Sequence, residues 1–306
     1  MEYCNLKGIN ASRIVMGCMR IADKPLPHTE SLIVEAVRAG VNTFDLADIY
    51  GNGDCEKIFG VAMKDLGFAR KDYIVQTKCG IRRDTTGNWY DFSREHIVNS
   101  VENSLIRLNT EYIDIFLLHR PDALMQTGEI AEAFERLRGS GKVRAFGVSN
   151  FSAMQIRALE QSGVLPVANQ MQFSLGHTLL VDAGFNVNRG VDEATSRAGD
   201  ALEYCRLKKI ALQAWSPLQY GFMEGVFVGN EKFATLNEEL EVLAEKYGVT
   251  PSAIALAWIL RVPAFAQVVT GTTSPERMQA LCAAADVQLT REEWYALYRA
   301  TGKKLP

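Results

Sequence analysis

The sequence predicts a (β/α)8 barrel. Short β-branched runs alternate with longer amphipathic stretches along the whole chain, the pattern of repeated βα units. The strand seeds recur roughly every 25–45 residues and nearly all are followed by a helix, which calls for parallel strands joined by right-handed crossovers. Eight such units close a barrel. No Gly-x-Gly-x-x-Gly opens the first helix, so an open doubly wound sheet, with its dinucleotide fingerprint, is the second choice.

In order, the predicted strands are Arg13 to Met16, Asn42 to Asp45, Tyr73 to Lys78, Ile113 to His119, Val143 to Val148, Val167 to Met171, Ile210 to Ala214 and Gln267 to Val269. The predicted helices are Thr29 to Ala39, Cys55 to Lys64, Arg94 to Leu108, Gly128 to Ser140, Ala153 to Ser162, Thr195 to Lys208, a long one from Asn237 to Leu260 that Pro251 divides, and Pro275 to Ala285. Ser93 and Ser152 stand as N-caps, and Thr250 precedes a proline suited to a first helical position.

The chain has 306 residues, 47% hydrophobic and 23% charged, with a net charge of −3. That composition buries a large core, and barrels of this length form one domain, here residues 1–306. So small a net charge points to neither nucleic acid nor a membrane surface as partner. The first 30 residues hold no apolar run fit for a signal peptide, and no stretch approaches the roughly 18 residues that span a bilayer. A cytoplasmic protein, monomeric rather than oligomeric, is expected. The six cysteines, Cys4, Cys18, Cys55, Cys79, Cys205 and Cys282, form no CxxC pair and are expected as reduced, mostly buried thiols. Cys79, next to Lys78, is the one where a neighbouring cation would raise reactivity.

Polar residues then gather at the ends of predicted strands. Phe-Asp-Leu-Ala-Asp-Ile-Tyr-Gly at 44–51, Gln-Thr-Lys at 76–78 and Leu-Leu-His-Arg-Pro-Asp at 117–122 deliver Asp45, Tyr50, Lys78 and His119. Tyrosine is a useful acid near neutral pH only if a cation lowers its pKa of roughly 10, and Lys78, held by Asp45, supplies that cation. His119 is placed to orient a carbonyl oxygen. Ser149, Asn150, Gln170 and Trp215 also fall at or just past strand C-termini, the face on which barrels build active sites.

These residues and spacings resemble the catalytic tetrad of the aldo-keto reductases, NAD(P)H-dependent carbonyl reductases on a (β/α)8 barrel, and the chain is similar to bacterial members from about residue 12 to residue 285. The resemblance implies that a small aldehyde or ketone is reduced to an alcohol, with Tyr50 as proton donor, Lys78 and Asp45 tuning it, and His119 orienting the substrate. It implies NADP(H) as cofactor, NAD(H) being the alternative, and no metal. Ser149, Asn150 and Gln170 match the residues that hydrogen-bond the nicotinamide carboxamide. Trp215, opening Trp215-Ser216-Pro217-Leu218, matches the aromatic stacked on the ring, and Cys18, Met19 and Arg20 match the loop under the cofactor. Asp45 also belongs to this wall. Gly271, Thr272, Thr273 and Arg277 match the site of the adenosine 2′-phosphate, with glycine at position 271 where one common version of the motif has lysine. A nucleotide-binding regulatory subunit of the same fold, turning over slowly, is the alternative function.

Three loops are expected to wall the substrate: Gly80 to Phe92 with Trp89 and Tyr90, Gln172 to Asp192 with His177 and Phe185, and Gln219 to Phe233 with Tyr220, Phe222 and Phe227. Asp48, Asp114 and Asp122 lie near the motifs, but spacing gathers no chelating set. Asp114 reads as a structural polar residue and Asp122 as a loop cap.

Overall fold

A computed structural model describes residues 1–306. Eight strands form the barrel: β1 (Ile14–Gly17), β2 (Thr43–Asp45), β3 (Ile74–Cys79), β4 (Ile113–Leu118), β5 (Val143–Ser149), β6 (Ala168–Gln172), β7 (Ala211–Trp215) and β8 (Phe265–Thr270). They pair in parallel in sequence order, and β8 closes onto β1 through Val268↔Ile14 and Thr270↔Met16. At this seam a Cβ on Gly17 would lie 2.4 Å from the Thr270 carbonyl oxygen. Only glycine fits that approach. The fold is the (β/α)8 barrel of the sequence prediction.

Helices ring the strands, and 71 buried residues fill the layer between. Their ends follow local chemistry. Ser93 accepts from His96 N, Ser152 forms a capping box with Gln155, and Thr250 caps the helix Pro251–Leu260 with Pro251 in its first turn. The long helical stretch is broken as Pro251 dictates, into Ala234–Tyr247 and Pro251–Leu260, with Gly248 left-handed between them. The helix expected from Thr195 begins at Ala201, because Gly199 and Asp200 adopt left-handed backbone (φ 57° and 55°). The helix expected to reach Ala285 ends at Cys282 and tightens into a 3₁₀ turn over Ala283–Asp286.

Two elements outside the predicted set close the molecule. A hairpin, Tyr3–Leu6 with Ile9–Ser12, lies at the N-terminal end of the barrel, where Leu6 and Ala11 pack with Ile74, Ile115, Leu117, Ala145, Val167 and Ala168 in a second apolar core. A C-terminal helix, Arg291–Ala300, starts at a Thr290–Glu293 capping box. It clasps the barrel through Trp294, whose indole stacks on Trp258 with centroids 4.8 Å apart, each N–H donating to the other residue's carbonyl at 2.9 and 3.0 Å. Five of the six thiols are buried, and no helix is long and apolar enough to cross a membrane.

Candidate active site

Strand register places Asp45 opposite Gln76, Gln170 opposite Gln213 and Gln213 opposite Gln267. Five polar side chains therefore meet in one layer inside the barrel, and hydrogen bonds join them into a floor. Gln267 Nε2 donates to the Ser12 carbonyl at 2.8 Å, and Gln213 Nε2 donates to Gln267 Oε1 at 2.7 Å and to Gln76 Oε1 at 2.8 Å. Gln76 and Gln170 both donate Nε2 to Asp45 Oδ1, at 2.6 and 2.9 Å. The buried carboxylate thus has the donors that burial demands.

Lys78, two residues beyond Gln76 on β3, faces the same interior and is fully buried. Its Nζ pairs with Asp45 Oδ2 at 2.6 Å, donates to the Leu46 carbonyl at 2.7 Å and reaches the Tyr50 hydroxyl at 3.4 Å. Burial alone would push the ammonium's pKa down. The facing Asp45 and Tyr50 outweigh it and hold the pKa above its ordinary value.

Tyr50 opens the turn Tyr50–Gly53, in which Gly51, Asn52 and Gly53 are all left-handed. A Cβ on Gly51 would meet Ala22 at 2.7 Å and one on Gly53 would meet Arg107 at 2.8 Å, so the glycines are sterically required as well as conformationally favoured. Arg107 is itself fixed by the buried Glu56 at 2.6 Å, whose other oxygen accepts from Thr77 Oγ1 at 2.6 Å. Lys78 does press the Tyr50 pKa down, as expected, but the expectation that this brings it below the ordinary phenol value needs correcting. Burial is the largest influence and leaves the phenol above its ordinary value, with Lys78 and Arg120 acting against it.

His119 stands edge-on to Tyr50, ring centroids 5.7 Å apart at 81°. Burial, then the charges of Lys78 and Arg120, hold its pKa well below the usual histidine range. The imidazole is neutral, and its buried Nδ1 has no hydrogen-bond partner. Asp114 and Asp122 take the structural parts expected of them: Asp114 accepts from Arg70, Arg144 and Val75 N, and Asp122 from Phe92 N and Leu124 N. Cys79 is not reactive in the way expected. It is fully buried, and burial followed by the nearby Asp48 pushes its thiol far up.

Above the floor opens a cavity of about 1010 Å³. Asp45, Tyr50, His119, Ser149, Asn150, Gln170, Trp215, Ser216, Pro217 and Leu218 line it, as do Met19, Arg20, Gly271, Thr272, Thr273 and Arg277. Lys78 lies behind that wall. Cys18 is buried away from it, its thiol on the Met16 carbonyl. Asn150 (φ 61°) accepts from the Trp215 indole N–H at 3.0 Å and donates to Ser149 Oγ at 2.8 Å, so much of its amide serves to fix its neighbours. Ser274 caps the helix Pro275–Cys282 by accepting from Arg277 N, and Arg277 Nε reaches Thr272 Oγ1 at 3.3 Å. This donor set, amides beside an indole at one end and hydroxyls with two arginines at the other, fits a nicotinamide dinucleotide.

Two of the three expected loops reach the cavity. The hairpin Ile81–Asp84 with Gly87–Tyr90 contributes Ile81, Arg83, Asn88 and Tyr90, without Trp89; the loop after β7 contributes Phe222, Met223, Val226 and Val228, without Tyr220 or Phe227. The loop from Gln172 to Asp192 does not line it. Tyr298 donates to Asp182 and Lys303 pairs with it, while Phe185 packs on Tyr298, so the C-terminal helix holds this segment to the outside. Among lining residues absent from the sequence reading, Arg120 stands out. It follows His119 directly, and a charged residue two positions past the end of a barrel strand is signal enough to place it on this face.

The sequence profile of the Aldo/keto reductase family matches residues 13–300. The chain is 35% identical to "Oxidoreductase YdhF" of Escherichia coli K12 over 303 residues, 96% of this chain and 95% of the relative. It is 34% identical to a "6-dehydroglucose reductase" of Agrobacterium fabrum, 97% of each chain being covered. The crystal structure of the thermostable aldo-keto reductase Tm1743 with the inhibitor epalrestat superposes with a TM-score of 0.78 at 25% identity, covering 98% of this chain and 100% of that one. The chain belongs to the aldo/keto reductase family and is an NAD(P)H-dependent oxidoreductase.

Proposed function

We propose that this protein reduces a small aldehyde or ketone to an alcohol with NADP(H), and that Tyr50 gives the proton. The observation that carries the reading is the placement of the Tyr50 hydroxyl: 3.4 Å from a buried, ion-paired Lys78, beside a neutral His119, on the wall of the cavity. A phenol whose pKa lies above its ordinary value is fully protonated at neutral pH and so is loaded as a donor. As its proton leaves, the fully buried Lys78 ammonium faces the growing phenolate, and the burial of that ammonium strengthens the interaction. Asp45, fixed by Gln76 and Gln170, keeps Lys78 in place. His119 has no acceptor at Nδ1, so its proton belongs on Nε2, from which it can meet the carbonyl oxygen. Bound reduced nicotinamide supplies the hydride for the carbonyl carbon.

Arg277 beside Thr272 and Thr273 favours NADP(H). NAD(H) has its own support: Gly271 stands where a lysine would add charge, and Glu276 sits at the same helix end, accepting from Ser274 at 2.7 Å. The complete set of Asp45, Tyr50, Lys78 and His119 supports turnover over a slow regulatory subunit, and we take residues 1–306 as one domain. The test is NADPH oxidation against a panel of small aldehydes and ketones, with nucleotide affinity measured alongside. Aldehyde-dependent oxidation is expected. Tight nucleotide binding without turnover on any member would favour the regulatory reading, and no affinity for either nucleotide would contradict both.

A further inference from the structure

The cavity wall carries four arginines, Arg20, Arg83, Arg120 and Arg277, and one carboxylate, Asp45, whose charge is already matched by Lys78. In a chain of net charge −3, that is a local concentration of positive charge, which a concave site focuses on its ligand. Arg20 and Arg277 flank Gly271–Thr273, at the end read as the dinucleotide's adenosine site. Arg83 lies on the exposed rim hairpin, with Nε on Asn88 Oδ1 at 2.8 Å.

Arg120 is different. It is half-buried next to His119, makes no ion pair, and none of its side-chain donors has a hydrogen-bond partner in the protein. What holds it are two aromatic faces, Trp215 at 5.3 Å and Phe222 at 5.7 Å from the guanidinium carbon to the ring centroids. Those contacts fix the plane of the guanidinium but accept no N–H in it. Its N–H edge is therefore committed to no protein group and is open to the cavity it lines. It fits a planar anion, which an arginine fork grips through two parallel hydrogen bonds.

We propose that Arg120 forms an anion subsite that takes a carboxylate carried by the carbonyl substrate, so that the preferred substrates are oxo acids. The proposal rests on the carbonyl-reduction reading and adds a substrate class to it. Adjacency to His119 places the subsite beside the group that meets the carbonyl oxygen, so one substrate can span both.

The experiment compares matched aldehydes that differ in one carboxylate, 4-carboxybenzaldehyde against benzaldehyde and succinic semialdehyde against butanal, in the wild type, Arg120→Met and Arg120→Lys. Benzoate binding to the NADP⁺ complex is measured by calorimetry in the same proteins. The wild type should favour the acid in at least one pair. In Arg120→Met, kcat/KM for the acid should fall by about 10–100-fold more than for its neutral partner, mainly through KM, the size expected for hydrogen bonds to a charged group. Arg120→Lys should recover part of that difference, and benzoate affinity should follow the same order. Equal losses for acid and neutral aldehydes, or a wild type that prefers the neutral member of both pairs, would overturn the proposal. Neutral aldehydes reduced by a protein that binds no benzoate would remove the subsite and leave the reductase. Arg120-dependent benzoate binding in a protein that reduces no aldehyde would do the reverse.

Discussion

Tyr50 is caught between opposing influences: burial raises its pKa while Lys78 and Arg120 restrain the rise. The Asp45–Lys78 pair sets that balance, and its two members depend on each other. Removing Lys78 alone leaves a carboxylate at 2% exposure with amide donors but no counter-charge. Lys78→Met should therefore cost about 3–5 kcal/mol of stability, the range for breaking a buried pair. The double variant Asp45→Asn/Lys78→Met should lose less than the single one, since no buried charge is stranded. Urea midpoints of the wild type, Asp45→Asn, Lys78→Met and the double variant measure this, and simple additivity would argue that the two groups are not coupled. At this scale the sequence is highly informative, because Asp45, Lys78 and His119 each end a predicted strand and lie within one residue of the end of the strand that forms, and Tyr50 sits in an unmistakable glycine-rich turn. It does not reveal the net direction of the Tyr50 shift. That depends on how deeply the fold buries the phenol, and neighbouring charges alone do not say.

Among the elements, the loop after β2 carries a half-buried acid, Asp48, with one carboxylate oxygen fully enclosed. Asp48 donates its backbone N–H to the Lys78 carbonyl at 3.0 Å, but its side-chain Oδ1 has no partner. Burial and then the charge of Glu56 raise its pKa from 3.8 to about 7. Between those values the unfolded chain releases this proton while the folded protein keeps it, so the group makes folding less favourable as pH rises from about 4 to about 7, with no further change above. Asp48→Asn lacks that slope. Relative to wild type, the variant should gain on the order of 4 kcal/mol between pH 4 and pH 8, read from denaturant midpoints at both pH values; a constant difference would mean that Asp48 titrates normally. At the opposite end of the cavity, Arg277→Ala should weaken NADPH by roughly 1.5–3 kcal/mol and leave NADH nearly unchanged. Equal losses would make Arg277 a support for the Gly271–Ser274 loop, and a wild-type preference for NADH would overturn the NADP(H) assignment. The loops were the least legible elements. Nothing local in Gln172 to Asp192 says that it faces outward; the decision is made by Tyr298 and Lys303, more than a hundred residues away, on and beyond a C-terminal helix whose Thr290–Glu293 start signal is visible in the sequence but was not among the predicted helices.

The molecule as a whole is a closed barrel sealed at one end by apolar residues and floored near the other by glutamines. Alternation along the strands makes the barrel legible, since Gln76 and Lys78, or Gln170 and Gln172, fall on one face of their strands. The floor itself is not, because it needs the register between strands, which no single segment encodes. Its effect is to present Asp45, and through it Lys78 and Tyr50, as one hydrogen-bonded unit at the base of the cavity proposed as the reductase site. The claim that Tyr50 is the acid is tested most directly by Tyr50→Phe, which removes one hydroxyl and preserves the ring. Paired measurements of kcat/KM for a small aldehyde and of NADPH affinity should show a rate lowered by about 10²-fold or more with cofactor binding retained. A Tyr50→Phe enzyme that reduces the aldehyde at the wild-type rate would contradict the account.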